Sequence, residues 1–151
     1  MFGTVRLRNI RIAVISAVCV IIIAAVCLLT LRSGAPDTVD IGGESYSPRA
    51  ENDEDIKAFI SACGYETDEL ISDSEITVPK IWNDTYKRYN DTQLSQGFDL
   101  TPYKGKPARE LTYSLASADG YITLLVSEGR MIAAHKSAMD GAGYEPLISD
   151  P

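Results

Sequence analysis

The chain has 151 residues, 45% of them hydrophobic and 23% charged, and a formal net charge of -7. That length admits one domain with a tail or a membrane anchor to spare. Residues 1–32 hold four arginines and no acid, which leaves 10 basic and 21 acidic side chains, a net -11, on the other 119 residues. So acidic a surface excludes a general nucleic-acid binder, which must neutralise phosphates. The 20 uncharged residues between Arg11 and Arg32 exclude a fully soluble chain.

In chain order, residues 1–11 read as a cytoplasmic stub and residues 12–31 as a transmembrane helix. Only Ser16 and Thr30 are polar in that span, and at 1.5 Å per residue it covers about 30 Å, the thickness of the bilayer's hydrocarbon. Arg6, Arg8 and Arg11 precede the span while Asp37 and Asp40 follow it, so the N-terminus is expected inside and the remainder outside. A cleaved signal peptide is the competing reading, because Ser33-Gly34-Ala35 resembles a processing site. The apolar region is longer than a signal peptide needs, and cleavage after Ala35 would leave Pro36 first. Val18 and Val26 stand before Cys19 and Cys27 where a lipidation signal wants a small residue. Cys63 is then the one cysteine of the exterior domain, without an intramolecular partner, and is expected as a small buried hydrophobe.

Residues 32–51 read as a flexible linker, since eight of residues 33–50 are Gly, Ser or Pro and no apolar period runs through them. The exterior domain is expected over residues 52–140. It opens on a helix with Asn52 as its cap, Asp53, Glu54 and Asp55 in its first turn and Gly64 as its stop. Ile56, Phe59, Ile60 and Cys63 form its apolar stripe. The acidic run lacks the glycine and distal glutamate of a calcium loop. A short strand over 75–78 ends at Pro79, and a second helix over 80–96 ends at Gly97. Trp82, Tyr86, Tyr89 and Gln93 share one face of that helix, which reads as a packing face. Asn83-Asp84-Thr85 and Asn90-Asp91-Thr92 match the glycosylation pattern, and so close together on a helix they read as coincidence. The loop FDLTPYKGKPARE leads into a meander with strands over 110–117, 121–126 and 130–135, turned at Asp119-Gly120 and Glu128-Gly129. Residues 141–151 read as a loosely ordered tail with room for one more pairing segment around 144–148. The expected fold class is α+β: after the membrane helix, two helices packed on one face of an antiparallel sheet of three to four strands.

The succession Val78-Pro79, Trp82, Tyr86, Tyr89-Asn90, Gln96-Gly97-Phe98-Asp99-Leu100, Tyr103-Lys104-Gly105-Lys106 and Leu111-Thr112-Tyr113 resembles a bacterial domain-of-unknown-function family. Its members are small proteins, mostly of Gram-positive spore-formers, typically with an N-terminal membrane segment. The resemblance covers about residues 52–140 and is most specific at QGFDLTPYKGK. Trp82 stands where Phe is commoner, and a longer loop between the first two meander strands is missing. The family has no assigned activity, so the resemblance implies fold and location only.

Chemistry is sparsely signalled. His135 is the one histidine, and Ser137 and Asp140 lie close to it in sequence without implying triad geometry. It reads as structural, with pH sensing the leading functional alternative. No metal, nucleotide or hydrolase motif is present, and neither a catalytic residue nor a cofactor is expected. Tyr103, Lys104, Lys106 and Arg109 form the one basic cluster, a candidate contact for an anionic group such as a wall-polymer phosphate. The plainer reading is that these lysines protect a strand edge. The expected function is a non-catalytic extracytoplasmic binding or sensing domain. Its partners are the lipid bilayer through residues 12–31 and a protein or wall polymer outside, with no nucleic acid. The alternatives are a wall-processing enzyme using His135 with Asp140 or a nearby serine, and an accessory subunit of a membrane complex.

Overall fold

The computed structural model describes residues 38–116, 120–140 and 143–148. The predicted span at 12–31 and most of the Asp119-Gly120 turn lie outside the described residues. Among those described, no helix is long and apolar enough to cross a membrane.

A hairpin comes first: β1 (Val39–Ile41) pairs antiparallel with β2 (Glu44–Tyr46). Gly42 and Gly43 both have positive φ, as a two-residue turn of the hairpin hand requires, and Asp40 Oδ1 accepts the Gly43 N–H at 2.9 Å. Residues 48–50 then run beside the sheet, where Met131 N donates to Pro48 O and Ala50 N to Gly129 O. The flexible linker expected over 32–51 is therefore corrected for its described part. Val39 and Ala50 are buried in the main core, and that burial fixes a segment whose composition alone suggests freedom.

Helix α1 (Asp53–Ala62) starts where Asn52 accepts the Asp55 N–H. It ends where Gly64 takes positive φ and Tyr65 N donates back to Ile60 O, so its last carbonyls are satisfied by a Schellman turn. Ile56, Phe59 and Ile60 are buried, each worth about 1.5–3 kcal/mol of transfer free energy. Cys63 is half-buried against the same core, and burial pushes its thiol up to about 12.

The main sheet has five antiparallel strands in sequential order: β3 (Thr67–Thr77), β4 (Pro107–Leu115), β5 (Gly120–Ser127), β6 (Arg130–Ala138) and β7 (Glu145–Pro146). β3 is an edge strand, exposed over most of its length, and its register shifts twice against β4. At the shift the Glu69 N–H finds the Ser114 hydroxyl, a substitute for a ladder bond that the bulge removes. The β5–β6 turn is the expected Glu128-Gly129, both with positive φ. A bulge between Leu125 and Val126 of β5 and their β6 partners lets consecutive Ile132 and Ala133 join the same cluster.

Helix α2 (Asp84–Leu94) follows β3. It begins four residues later than the sequence suggests because Asn83, not a residue before Lys80, provides the cap, accepting the Tyr86 N–H at 2.8 Å. It too ends in a Schellman turn, with Gly97 at positive φ and Phe98 N donating to Gln93 O. Leu111, Tyr113, Ile122 and Leu124 pack with α1, whereas Ala108 and Leu125 pack with Tyr86 and Tyr89 of α2. By the two-residue alternation of strands these are opposite sheet faces.

The expected fold class is thus corrected. Among the described residues, two sheets with seven strands replace one of three or four, and the two helices serve different faces. The tail is also corrected where described: Leu147 and Ile148 are buried, and both backbone N–H groups donate to Gln96 Oε1, at 2.8 and 2.9 Å.

Candidate functional site

The run QGFDLTPYKGK is a brace between α2 and β4. Gln96 donates to Ala134 O and accepts from the tail. Phe98 meets Phe59 edge-on with ring centroids 6.2 Å apart. Asp99 Oδ1 accepts the Thr101 N–H at 2.8 Å, where the short 3-10 helix Thr101–Tyr103 begins. Asn90 Oδ1 accepts the buried Leu100 N–H at 2.8 Å. Asn83 and Asn90, the asparagines of the two glycosylation patterns, therefore have structural duties.

The four residues of the predicted basic site are each engaged locally. The Tyr103 ring is buried, and burial raises its phenol above the ordinary value. Lys106 Nζ lies 5.1 Å from the Tyr103 ring centroid, and Lys104 Nζ lies 3.9 Å from that of Trp82. Arg109 makes two bonds to the Asp73 carboxylate, at 2.6 and 3.2 Å. Between the lysines, Gly105 has positive φ, donates to Val78 O at 2.7 Å and lies against the stem of Lys80.

On the α2 side of the sheet lies a cavity of about 350 Å³. Its floor includes Ile76 of β3, Glu110 of β4 and Leu125 of β5, and its wall is Tyr86, Tyr89, His135 and Tyr144. Tyr86 and Tyr89 are three residues apart on α2 and so share a face. His135 pairs with Pro146 across β6–β7, which brings Tyr144 alongside. Tyr89 is central. Its ring stands at 63° to Tyr86, 78° to Tyr144 and 86° to His135, with centroids 5.0 to 5.9 Å apart. Rings set at such angles form the corner of a box, and edge-to-face contacts hold them there. Trp82 extends the series, 5.5 Å from Tyr86, with its Nε1 donating to Pro79 O.

The Tyr89 hydroxyl lies 2.9 Å from His135 Nδ1. Burial holds the His135 imidazole down to about 4. Burial first, then Tyr86 and Glu110, push the Tyr89 phenol well above its ordinary range. Both groups are thus uncharged around neutral pH. His135 Nδ1 meets a phenol, at the nitrogen where a triad histidine would meet an orienting acid.

A larger hollow, about 430 Å³, lies at the β5–β6 turn, with Glu51, Glu75, Glu128 and Arg109 in its lining. Among the described residues no three His, Cys, Asp or Glu side chains converge as a metal site would require, and Arg109 is committed to Asp73. The smaller cavity, apolar with a few polar groups, has the better character for a ligand. Of its wall, the sequence shows the tyrosine stripe of α2. His135 and Tyr144 join it only through tertiary pairing, which no local signal announces.

No family model, curated protein or solved structure matches this chain.

Proposed function

We propose that this protein is a non-catalytic, extracytoplasmic binding domain tethered to the membrane by residues 12–31, and that it takes a small ligand in the cavity between α2 and the sheet. The observation that carries the proposal is the box of Tyr86, Tyr89, His135 and Tyr144 around about 350 Å³ of space. These rings line an opening that also has the Glu110 carboxylate in its wall. The tether rests on the uncharged stretch 12–31 and on the arginines that precede it.

The site is tested by NMR on the full chain with a panel of small cationic, neutral aromatic and anionic compounds. Binding in the cavity shifts the ring signals of Tyr86, Tyr89, His135 and Tyr144 together. Shifts confined to Lys104 and Lys106, elicited by the anions, would move the site to the basic loop and refute the cavity. The location is tested separately on intact cells, where added protease should degrade residues 38–148. A shielded domain contradicts the orientation.

A further inference from the structure

Resting on that reading, we infer that the cavity's ligand is a small organic ammonium ion, held against the tyrosine rings with its charge toward Glu110. Among the described residues the cavity is lined by three tyrosine rings and one carboxylate, with no Lys or Arg. Aromatic faces carry the negative end of the ring quadrupole and attract cations, most strongly those with a diffuse, poorly hydrated charge. A methylated ammonium satisfies both halves of this wall, since its methyl groups match Ile76 and Leu125 and its charge matches the rings and the carboxylate.

Three further features agree. His135 contributes an uncharged ring and brings no competing positive charge, because burial disfavours its protonation. The molecule itself sets an ammonium on the adjoining ring of this aromatic series, where Lys104 Nζ lies 3.9 Å from the Trp82 centroid. Beyond residue 32 the chain carries a net -11, a field that concentrates cations and repels anions. An anionic ligand would have to enter against that field and sit beside Glu110. A neutral aromatic ligand would leave the carboxylate without a counterpart.

The probes are choline and its uncharged carbon isostere 3,3-dimethylbutanol, titrated into the full chain and followed by the tyrosine and His135 ring signals. Choline should shift those signals and saturate, and the isostere should bind about tenfold more weakly, the worth of a partly desolvated cation–π contact. Glu110→Gln, nearly isosteric, should weaken choline severalfold and leave the isostere unchanged. Tyr144→Ala, which removes a partly exposed wall, should weaken both. If the isostere binds as tightly as choline through the same signals, the ammonium inference is overturned and the cavity remains a site for apolar ligands. If a compound from the wider panel binds at the cavity but neither probe does, the inference fails alone. If nothing shifts the rings, the cavity reading fails with it.

Discussion

The Tyr89 hydroxyl and His135 Nδ1 meet at 2.9 Å, joining the middle of α2 to β6 across 46 residues of sequence. Because the phenol keeps its proton, it can donate to an unprotonated Nδ1. Charging the imidazole reverses the bond, Nδ1–H then donating to the phenol oxygen, and places a cation in a buried site. The cost of burying that charge favours the neutral pairing.

Stability should therefore fall on acidification through the histidine window. The folded-state value, about 4, lies below the ordinary 6.5, so the unfolded chain binds the extra proton first. The contribution is fully present above 6.5 and is lost as pH drops toward 4, by about 3 kcal/mol in total. Urea midpoints at pH 7, 6, 5 and 4.5 measure it, and His135→Gln should flatten the slope between 6.5 and 5. An equal slope in the variant would assign the effect to other groups.

Gln96 holds the tail, so Gln96→Ala should free it. Leu147 and Ile148 lose their common acceptor and Ala134 O loses a donor, a cost of roughly 2–4 kcal/mol for buried groups left unpaired. Amide hydrogen exchange should accelerate at Leu147 and Ile148 more than at Ile60 in α1. Uniform acceleration would show that Gln96 supports the whole fold and not the tail in particular.

Gly105→Ala should destabilise by about 1–2 kcal/mol, because φ is +76° and the new Cβ would meet Lys80 Cγ at 2.7 Å. The lysine stem can swing aside, so adding Lys80→Ala should recover the steric part and leave the backbone part. Thermal midpoints of the single and double variants separate the two. A full recovery would mean that the positive φ is not required.

Cys63 should label slowly. Burial raises its thiol to about 12, which leaves little thiolate at neutral pH. Reaction with a chromogenic disulfide should be much slower in the folded chain than in urea. Equal rates would contradict the packing of Cys63 against the α1 core.

The sequence was most informative where structure is written locally. Asn52 and Gly64 bound α1 because capping needs only the adjacent backbone, and Glu128-Gly129 marks its turn for the same reason. β3 was nearly invisible: Thr67–Thr77 is exposed along almost its whole length, so no buried face imposes an apolar alternation, and only its last residues read as a strand. The β1–β2 hairpin does carry a signal, Gly42-Gly43 between two short segments, but the Gly, Ser and Pro content around it suggests a tether. What decides the outcome is the burial of Val39, a tertiary fact. The candidate site is similar. Tyr86 and Tyr89 are legible as a stripe, yet a stripe that packs and a stripe that walls a cavity have the same spacing. The difference is made by His135 and Tyr144, brought in by β6 and β7. In the QGFDLTPYKGK run Gln96 and Asp99 are occupied by backbone groups of their own chain, partners that no local signal announces.

The tyrosine box is proposed to receive a small organic ammonium ion. The most direct measurement is the set of intermolecular NOEs between the N-methyl protons of choline and the full chain. Contacts to the ring protons of Tyr86, Tyr89 and Tyr144 are the predicted result. Contacts confined to the Lys104–Lys106 loop, or none at saturating choline, would contradict it.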